Sequence, residues 1–170
     1  MYNNYAFIDG QNLFTSISKY DYKFSFQSFY LYLNKNLYVT KAFYFIGLIE
    51  NKNHERYKEL RQSGFTLSLK RPSYRIRNGK LDIKANVDCN LVAHSLIKIK
   101  DYDKAVIVAG DGDYYFLAKY LLRNDKLHKI LFPHKSDTST LFKEGSTFKN
   151  RIIYLNRLRD VLSKNYGQAL

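Results

Sequence analysis

Six short apolar runs, each separated from the next by a stretch of different periodicity, govern what this chain can become. Tyr5–Asp9, Ala42–Leu48, Ala105–Ala109, Ile130–Phe132 and Ile152–Leu155 are apolar at nearly every position, and Phe65–Leu69 at every second one. The continuous pattern belongs to strands covered on both faces, as in parallel sheets. Between them lie amphipathic stretches. In the clearest, Phe26, Phe29, Tyr30, Leu33 and Leu37 fall on one helical stripe, with Ser25 placed to cap it. Further helices are expected over about 54–62, 86–99, 113–124, 139–144 and 157–164, with Asn156 as the cap of the last. Strand–helix–strand alternation of this kind predicts an α/β fold with a mostly parallel sheet and helices on both faces. No Gly/Ser/Pro-rich linker and no internal repeat divides it, so residues 1–170 are expected to form one domain.

One segment departs from the alternation. Ser73–Arg77, then Asn78-Gly79, then Lys80–Lys84 carries the signal of a hairpin closed by a two-residue turn. That register pairs Ile76 with Leu81 and Tyr74 with Ile83 on one face, and sets Arg75 against Asp82 on the other. The ribbon is also basic. Lys70, Arg71, Arg75, Arg77, Lys80 and Lys84 fall within fifteen residues, which makes them the candidate contacts to a phosphate backbone.

Charge points the same way. Lys and Arg number 28 against 15 acidic residues, a formal +13, and an excess of that size favours a polyanionic partner, nucleic acid ahead of a membrane surface. Sixteen Tyr and twelve Phe supply both a core and a surplus of rings suited to stacking on bases. The single Cys89 excludes an internal disulfide and a cysteine-rich zinc site. No signal-type apolar segment opens the chain, and no apolar run nears the roughly 20 residues needed to span a bilayer. A soluble, cytoplasmic protein is expected.

Acids stand at the ends of separate predicted elements. Phe7-Ile8-Asp9-Gly10-Gln11-Asn12 ends a strand in a carboxylate, and Gly10 permits a tight turn that lets Asn12 look back at whatever Asp9 binds. Val106–Ala109 runs through Gly110 into Asp111 and Asp113, two anions at i, i+2 ahead of a helix with apolar positions 114, 117, 118 and 121. Asp88 opens the helix after the hairpin, beside a stripe read as Cys89, Val92, Ala93, Leu96 and Ile99. Each acid taken alone also fits a helix cap or turn. Together they crowd negative charge where parallel folds build their sites, at the carboxyl ends of strands, and such crowding favours a cation between them. Carboxylate and water ligands suit Mg²⁺ or Mn²⁺. Asp9 and Asp111 would be the primary metal ligands, with Asp88 and Asp113 bound directly or through water.

The three motifs Phe7–Asn12, Asn86-Val87-Asp88 and Gly110-Asp111-Gly112-Asp113-Tyr114, in that order and separation, resemble the NYN domain, specifically its LabA-like branch. A strand near Lys129–Pro133, a Ser/Thr-rich loop at Ser136–Thr140 and the segment Arg151–Leu155 extend the likeness over nearly the whole chain. The resemblance implies a PIN-like three-layer α/β/α sandwich and a Mg²⁺- or Mn²⁺-dependent ribonuclease site. Its catalytic positions would be Asp9, Asp88, Asp111 and Asp113, with Asn12 beside the first. Gly112 stands where relatives often carry Ser, and His94-Ser95 where many carry a further acid.

Other readings were weighed on the same residues. Tyr114 and Tyr115 are read as core rings, His94 as structural or exposed, and His128 and His134 as surface residues. Ser136, Ser139 and Thr140 suit either a phosphate contact or ordinary loop hydrogen bonding. A haloacid-dehalogenase-like phosphatase needs an acid where this chain has Gln11, and a dinucleotide site needs a Gly-rich fingerprint after the first strand that is absent. The rivals that remain are a nucleic-acid-binding or adaptor module with little activity, and a nuclease directed at DNA. RNA over DNA rests on the resemblance alone, and a homodimer is left open.

Overall fold

The structure, a computed structural model, describes residues 2–20, 23–48, 54–77, 80–84, 87–144 and 146–163, with residues 73–84 described by their backbone. Six strands form one parallel sheet: β1 (Asn4–Asp9), β2 (Val39–Gly47), β3 (Thr66–Lys70), β6 (Ala105–Val108), β7 (Leu127–Phe132) and β8 (Ile152–Tyr154). A separate antiparallel pair, β4 (Ser73–Arg77) and β5 (Lys80–Lys84), is inserted after β3. The strand order across the large sheet is β3-β2-β1-β6-β7-β8. The chain therefore builds outward from β1 in one direction, returns by way of the hairpin, and builds outward in the other. Where the order reverses, between β1 and β6, the helices leave in opposite directions and a crevice opens at the carboxyl ends of the two strands.

The pleat sorts the core into two layers. Tyr5 and Phe7 of β1 face one way, packing with Leu91 of α4 (Asp88–Ile97), with Leu117 and Leu121 of α5 (Tyr115–Arg123) and with Phe142 of α6 (Thr140–Lys143). Ala6 and Ile8 face the other way, onto Leu13 of α1 (Gly10–Lys19), Phe29 and Leu33 of α2 (Phe26–Leu37), Leu60 of α3 (His54–Gln62) and Leu162 of α7 (Arg159–Leu162). All these side chains are buried. Each Leu, Ile and Phe among them contributes about 1.5–3 kcal/mol relative to an exposed side chain. The α/β/α sandwich expected from the sequence is thus the observed architecture.

Several local expectations hold. Ser25 caps α2, accepting from the Ser28 amide at 3.2 Å. Phe26, Phe29, Leu33 and Leu37 are buried with Tyr30 half-buried, and 114, 117, 118 and 121 all face the core. The hairpin register is the one expected, with Tyr74 opposite Ile83, Arg75 opposite Asp82 and Ile76 opposite Leu81. The turn at Asn78-Gly79 lies outside the described residues.

Other expectations need correction. Helix α1 was not anticipated. It follows β1 without a loop, and its Thr15, Ser16 and Ser18 weaken the helical signal. In α4 Leu91 and Ser95 are buried and Asp88 half-buried; of the stripe read from the sequence Val92 and Ile99 pack partly against the core, but Cys89, Ala93 and Leu96 are exposed. Polar groups occupy inward positions there, so counting hydrophobic residues rotated the helix. Asn156 does not cap the last helix; it sits inside a 3₁₀ turn, Leu155–Arg157. His128 and His134 are half-buried rather than surface residues, and the His134 ring stacks on Tyr20 at 3.6 Å.

Candidate active site

At the end of β1 the backbone turns directly into α1, and Asp9 is the capping residue. Its Oδ1 accepts from the Asn12 amide at 2.9 Å, a charge-assisted cap on a helix start that favours negative charge. Gly10 is required at this bend: a Cβ there would meet the ring of Tyr44 and would lie 2.7 Å from the Phe45 carbonyl oxygen. By strand alternation Asp9 follows Tyr5 and Phe7 onto the α4/α5 side of the sheet. There the second carboxylate oxygen meets Tyr114, whose hydroxyl lies 2.9 Å from Asp9 Oδ2 and 2.6 Å from Asp88 Oδ1.

That single phenol joins residues far apart in sequence. Asp9 comes from β1, Asp88 from the first turn of α4, and Tyr114 from the 3₁₀ turn Gly112–Tyr114 that follows β6. The ring is wholly buried, Asp9 is buried and Asp88 is half-buried. A phenol has one proton to donate, so two carboxylates are held against one donor. The energetic signature follows. Burial pushes the Asp9 carboxyl above its ordinary range, and the charge of Asp88 adds to the rise although the Asn12 amide and Tyr114 oppose it. Burial also drives the Tyr114 phenol far up, helped by both neighbouring carboxylates. Tyr44, whose hydroxyl donates to the Gly10 carbonyl at 3.3 Å, is pushed up by burial, with the Arg56 charge opposing and the Asp9 charge reinforcing.

The second acid motif ends the neighbouring strand. Asp111 Oδ1 accepts from the Asp113 amide at 3.1 Å, capping the 3₁₀ turn, and both side chains are exposed. Asn12 ties the two motifs together: its amide oxygen accepts from the Gly110 N–H at 2.8 Å. The amide of Asn12 therefore serves the junction of β1 and β6. The loop after β7 closes over the same place, with the Ser139 N–H donating to the Gly110 carbonyl at 3.0 Å. Gly112 leaves room for it, since a Cβ there would lie 2.8 Å from Ser139 Oγ. The loop is anchored by Asp137, which takes hydrogen bonds from Lys19 (2.7 Å), Tyr20 (2.9 Å) and Ser16 (3.3 Å).

The structure thus brings Asp9 and Asp88 to one point and sets Asp111 and Asp113 at the end of the adjoining strand. Among the described residues no three His, Cys, Asp or Glu side chains converge so as to hold a metal ion. The donor set that does converge is all oxygen, which suits a hard divalent cation. Of the predicted backbone contacts, Lys70 is half-buried and Arg71 exposed; the side chains of Arg75, Arg77, Lys80 and Lys84 lie outside the described residues.

Two participants escaped sequence reasoning. Tyr114 was read only as a core ring, and nothing in a one-letter string shows that its hydroxyl reaches two acids 105 and 26 positions away. Arg56 lies flat on the Phe14 ring at 3.7 Å and acts electrostatically on Tyr44 beside Gly10. Its only sequence signal was a cation near the start of a helix.

The fold is that of a PIN-like α/β sandwich. The chain belongs to the NYN domain family, whose model matches residues 5–150. The fold is also that of a crystal structure of a protein of unknown function from Vibrio parahaemolyticus RIMD 2210633. The two are 21% identical and superpose with a TM-score of 0.70 over 91% of this chain and 93% of the other. No curated protein matches the sequence. No helix among the described residues is long and apolar enough to cross a membrane.

Proposed function

We propose that this protein is a metal-dependent endoribonuclease of the LabA-like branch, acting in the cytoplasm on RNA phosphodiester bonds. One observation carries the reading: carboxylates from β1 and α4 meet on a buried phenol at the switch point of the sheet, beside the acids that end β6. Crowding a buried and a half-buried carboxylate onto one phenol proton costs stability unless a cation offsets it. Asp9 and Asp88 would hold Mg²⁺ or Mn²⁺, with Asp111 and Asp113 reaching it directly or through water.

The chemistry such an ion supplies when bound is activation of a water nucleophile and neutralisation of charge on the leaving oxygen. The protein's own residues do the rest. Tyr114 orients Asp9 and Asp88, Asn12 locks the β1 and β6 ends in register, and the exposed Asp111 and Asp113 face the side from which substrate arrives. Arg56 and the basic hairpin hold phosphates, which gives affinity without base specificity. Purified protein with Mn²⁺ and a labelled single-stranded RNA tests the reading. Cleavage should vanish with EDTA and in Asp111→Asn; turnover that survives either change ends the assignment.

A second reading draws on the absence of a three-acid cluster among the described residues: a nucleic-acid-binding module that keeps the fold with little activity. Binding in EDTA without turnover in any divalent ion would select it. Comparing RNA with DNA of the same sequence decides the substrate.

A further inference from the structure

The far edge of the sheet carries a groove that neither the acid site nor the hairpin accounts for. It has a volume of about 650 Å³ and is lined by Phe142, Lys143, Lys149, Ile152, Ile153, Tyr154, Arg157 and Leu158. Its floor is apolar and aromatic: Tyr154 packs on Phe132 at 5.8 Å between ring centroids, and Phe142 packs on Phe132 at 5.2 Å. Its rim is cationic. Lys143, Lys149 and Arg157 are exposed, and among the described residues no carboxylate lines the groove. The Arg157 guanidinium lies over the Tyr154 ring, 5.3 Å from its centroid, so cation and ring form one stacked unit.

Position gives the groove its meaning. Helix α6 joins it to the acid site: Ser139, just before α6, donates to Gly110, Leu141 abuts Gly112, and Lys143 at the other end of α6 enters the groove. Four residues of helix span about 6 Å. A chain leaving the acid turn along α6 is led toward the groove.

We propose that this groove at the β8 edge is a binding site for single-stranded nucleic acid. Phosphates sit on Lys143, Lys149 and Arg157, and a base lies against Tyr154. The assignment rests on the nucleic-acid reading above and extends it to a second contact region on the side of the sheet away from β3. Rings interleaved with cations, without an acid between them, are the surface that an unpaired strand needs. An acidic peptide would use the charges but not the ring.

The test is fluorescence anisotropy of the full chain with a labelled single-stranded RNA in EDTA, across a range of salt concentrations. Two triple variants remove equal charge: Lys143→Ala/Lys149→Ala/Arg157→Ala in the groove, and Lys35→Ala/Lys58→Ala/Arg61→Ala on exposed positions of α2 and α3. The groove variant should lose at least about tenfold in affinity and flatten the log–log salt dependence by about 2, the loss of three phosphate contacts to a single strand. The control should change the slope by less than about 0.5. Tyr154→Leu should weaken binding by about fivefold or more at an unchanged slope. A groove variant that matches the control, or a poly-glutamate peptide that competes as well as RNA of equal charge, overturns the proposal. Wild-type protein that binds no RNA overturns it too. The cleavage reading is judged separately, by Mn²⁺-dependent turnover and its loss in Asp111→Asn.

Discussion

The two pairs of acids at the switch point are built on opposite principles. Asp9 is buried and Asp88 half-buried against a ring wholly out of water; the Asn12 amide and Tyr114 hold Asp9, and Tyr114 holds Asp88. Asp111 and Asp113 stand in solvent on a short 3₁₀ turn, with one amide contact between them. A desolvated pair interacts strongly with anything placed between its members, because the surroundings screen little; an exposed pair is screened and free to adjust. The comparison teaches that charge count alone does not rank these residues. The buried pair sets where a cation would sit, and the exposed pair meets what comes from outside.

Removing the charge of the buried pair should have the largest effect. Asp9→Asn is expected to lower Mn²⁺-dependent RNA cleavage by about 10³-fold, read as initial rates on a labelled strand. A drop no larger than that of Asp113→Asn would erase the distinction drawn here. Next comes the donor that serves both carboxylates. Tyr114→Phe keeps the ring and removes only the hydroxyl, so it should weaken Mn²⁺ binding by about 10–100-fold, measured by electron paramagnetic resonance. The same variant should lose about 1–3 kcal/mol in urea unfolding, because the buried Asp9 and the half-buried Asp88 each lose one hydrogen bond.

Asp113→Asn, at an exposed position, should cost about tenfold in activity and leave stability within about 0.5 kcal/mol. Unaltered activity would confine the site to the buried pair. The pH dependence sharpens the contrast further. Folding raises the Asp9 pKa, so the folded state binds a proton more tightly than the unfolded chain does. The stability this confers is complete below the ordinary carboxylate range and is lost as pH rises through the raised value. In EDTA the wild type should therefore weaken with rising pH across that window, and Asp9→Asn should be flatter, as urea midpoints from pH 4 to 8 will show. The smallest effect is expected of Gly112→Ala. Its new Cβ would lie 2.8 Å from the Ser139 hydroxyl, which can rotate away, and 3.2 Å from a Leu141 methyl, which must give by a few tenths of an ångström, so thermal unfolding should shift by a few degrees at most.

Much of this was legible in one dimension. Apolar runs announced buried parallel strands, and every one of the six became a strand of the sheet within a few residues. The hairpin register followed from its turn residues and alternation, and β4 and β5 pair as expected. Asp9, Asp111 and Asp113 stand out in the sequence because they end or follow two of the apolar runs, and Asp88 because it opens a helix. What failed did so for identifiable reasons. Helix α1 was hidden by residues that compete for backbone hydrogen bonds. The face of α4 was misjudged because Asp88 and Ser95 point inward, where hydrophobicity counting expects apolar side chains. Asn156 lies in a 3₁₀ turn although its type favours a cap.

Sequence by itself determined the class of fold, the identity of the strands, the excess of positive charge and the acids that terminate β1 and β6. These are local or additive properties, set by periodicity, composition and turn chemistry within a few neighbouring residues. Tertiary structure alone decided that Asp88 joins Asp9 rather than Asp111, that a tyrosine hydroxyl stands between them, and that α6 links the acid turn to a cationic groove. Those outcomes depend on helix rotation and on how strands separated by a hundred residues are ordered in the sheet. Non-local packing sets both, and no window of sequence contains it.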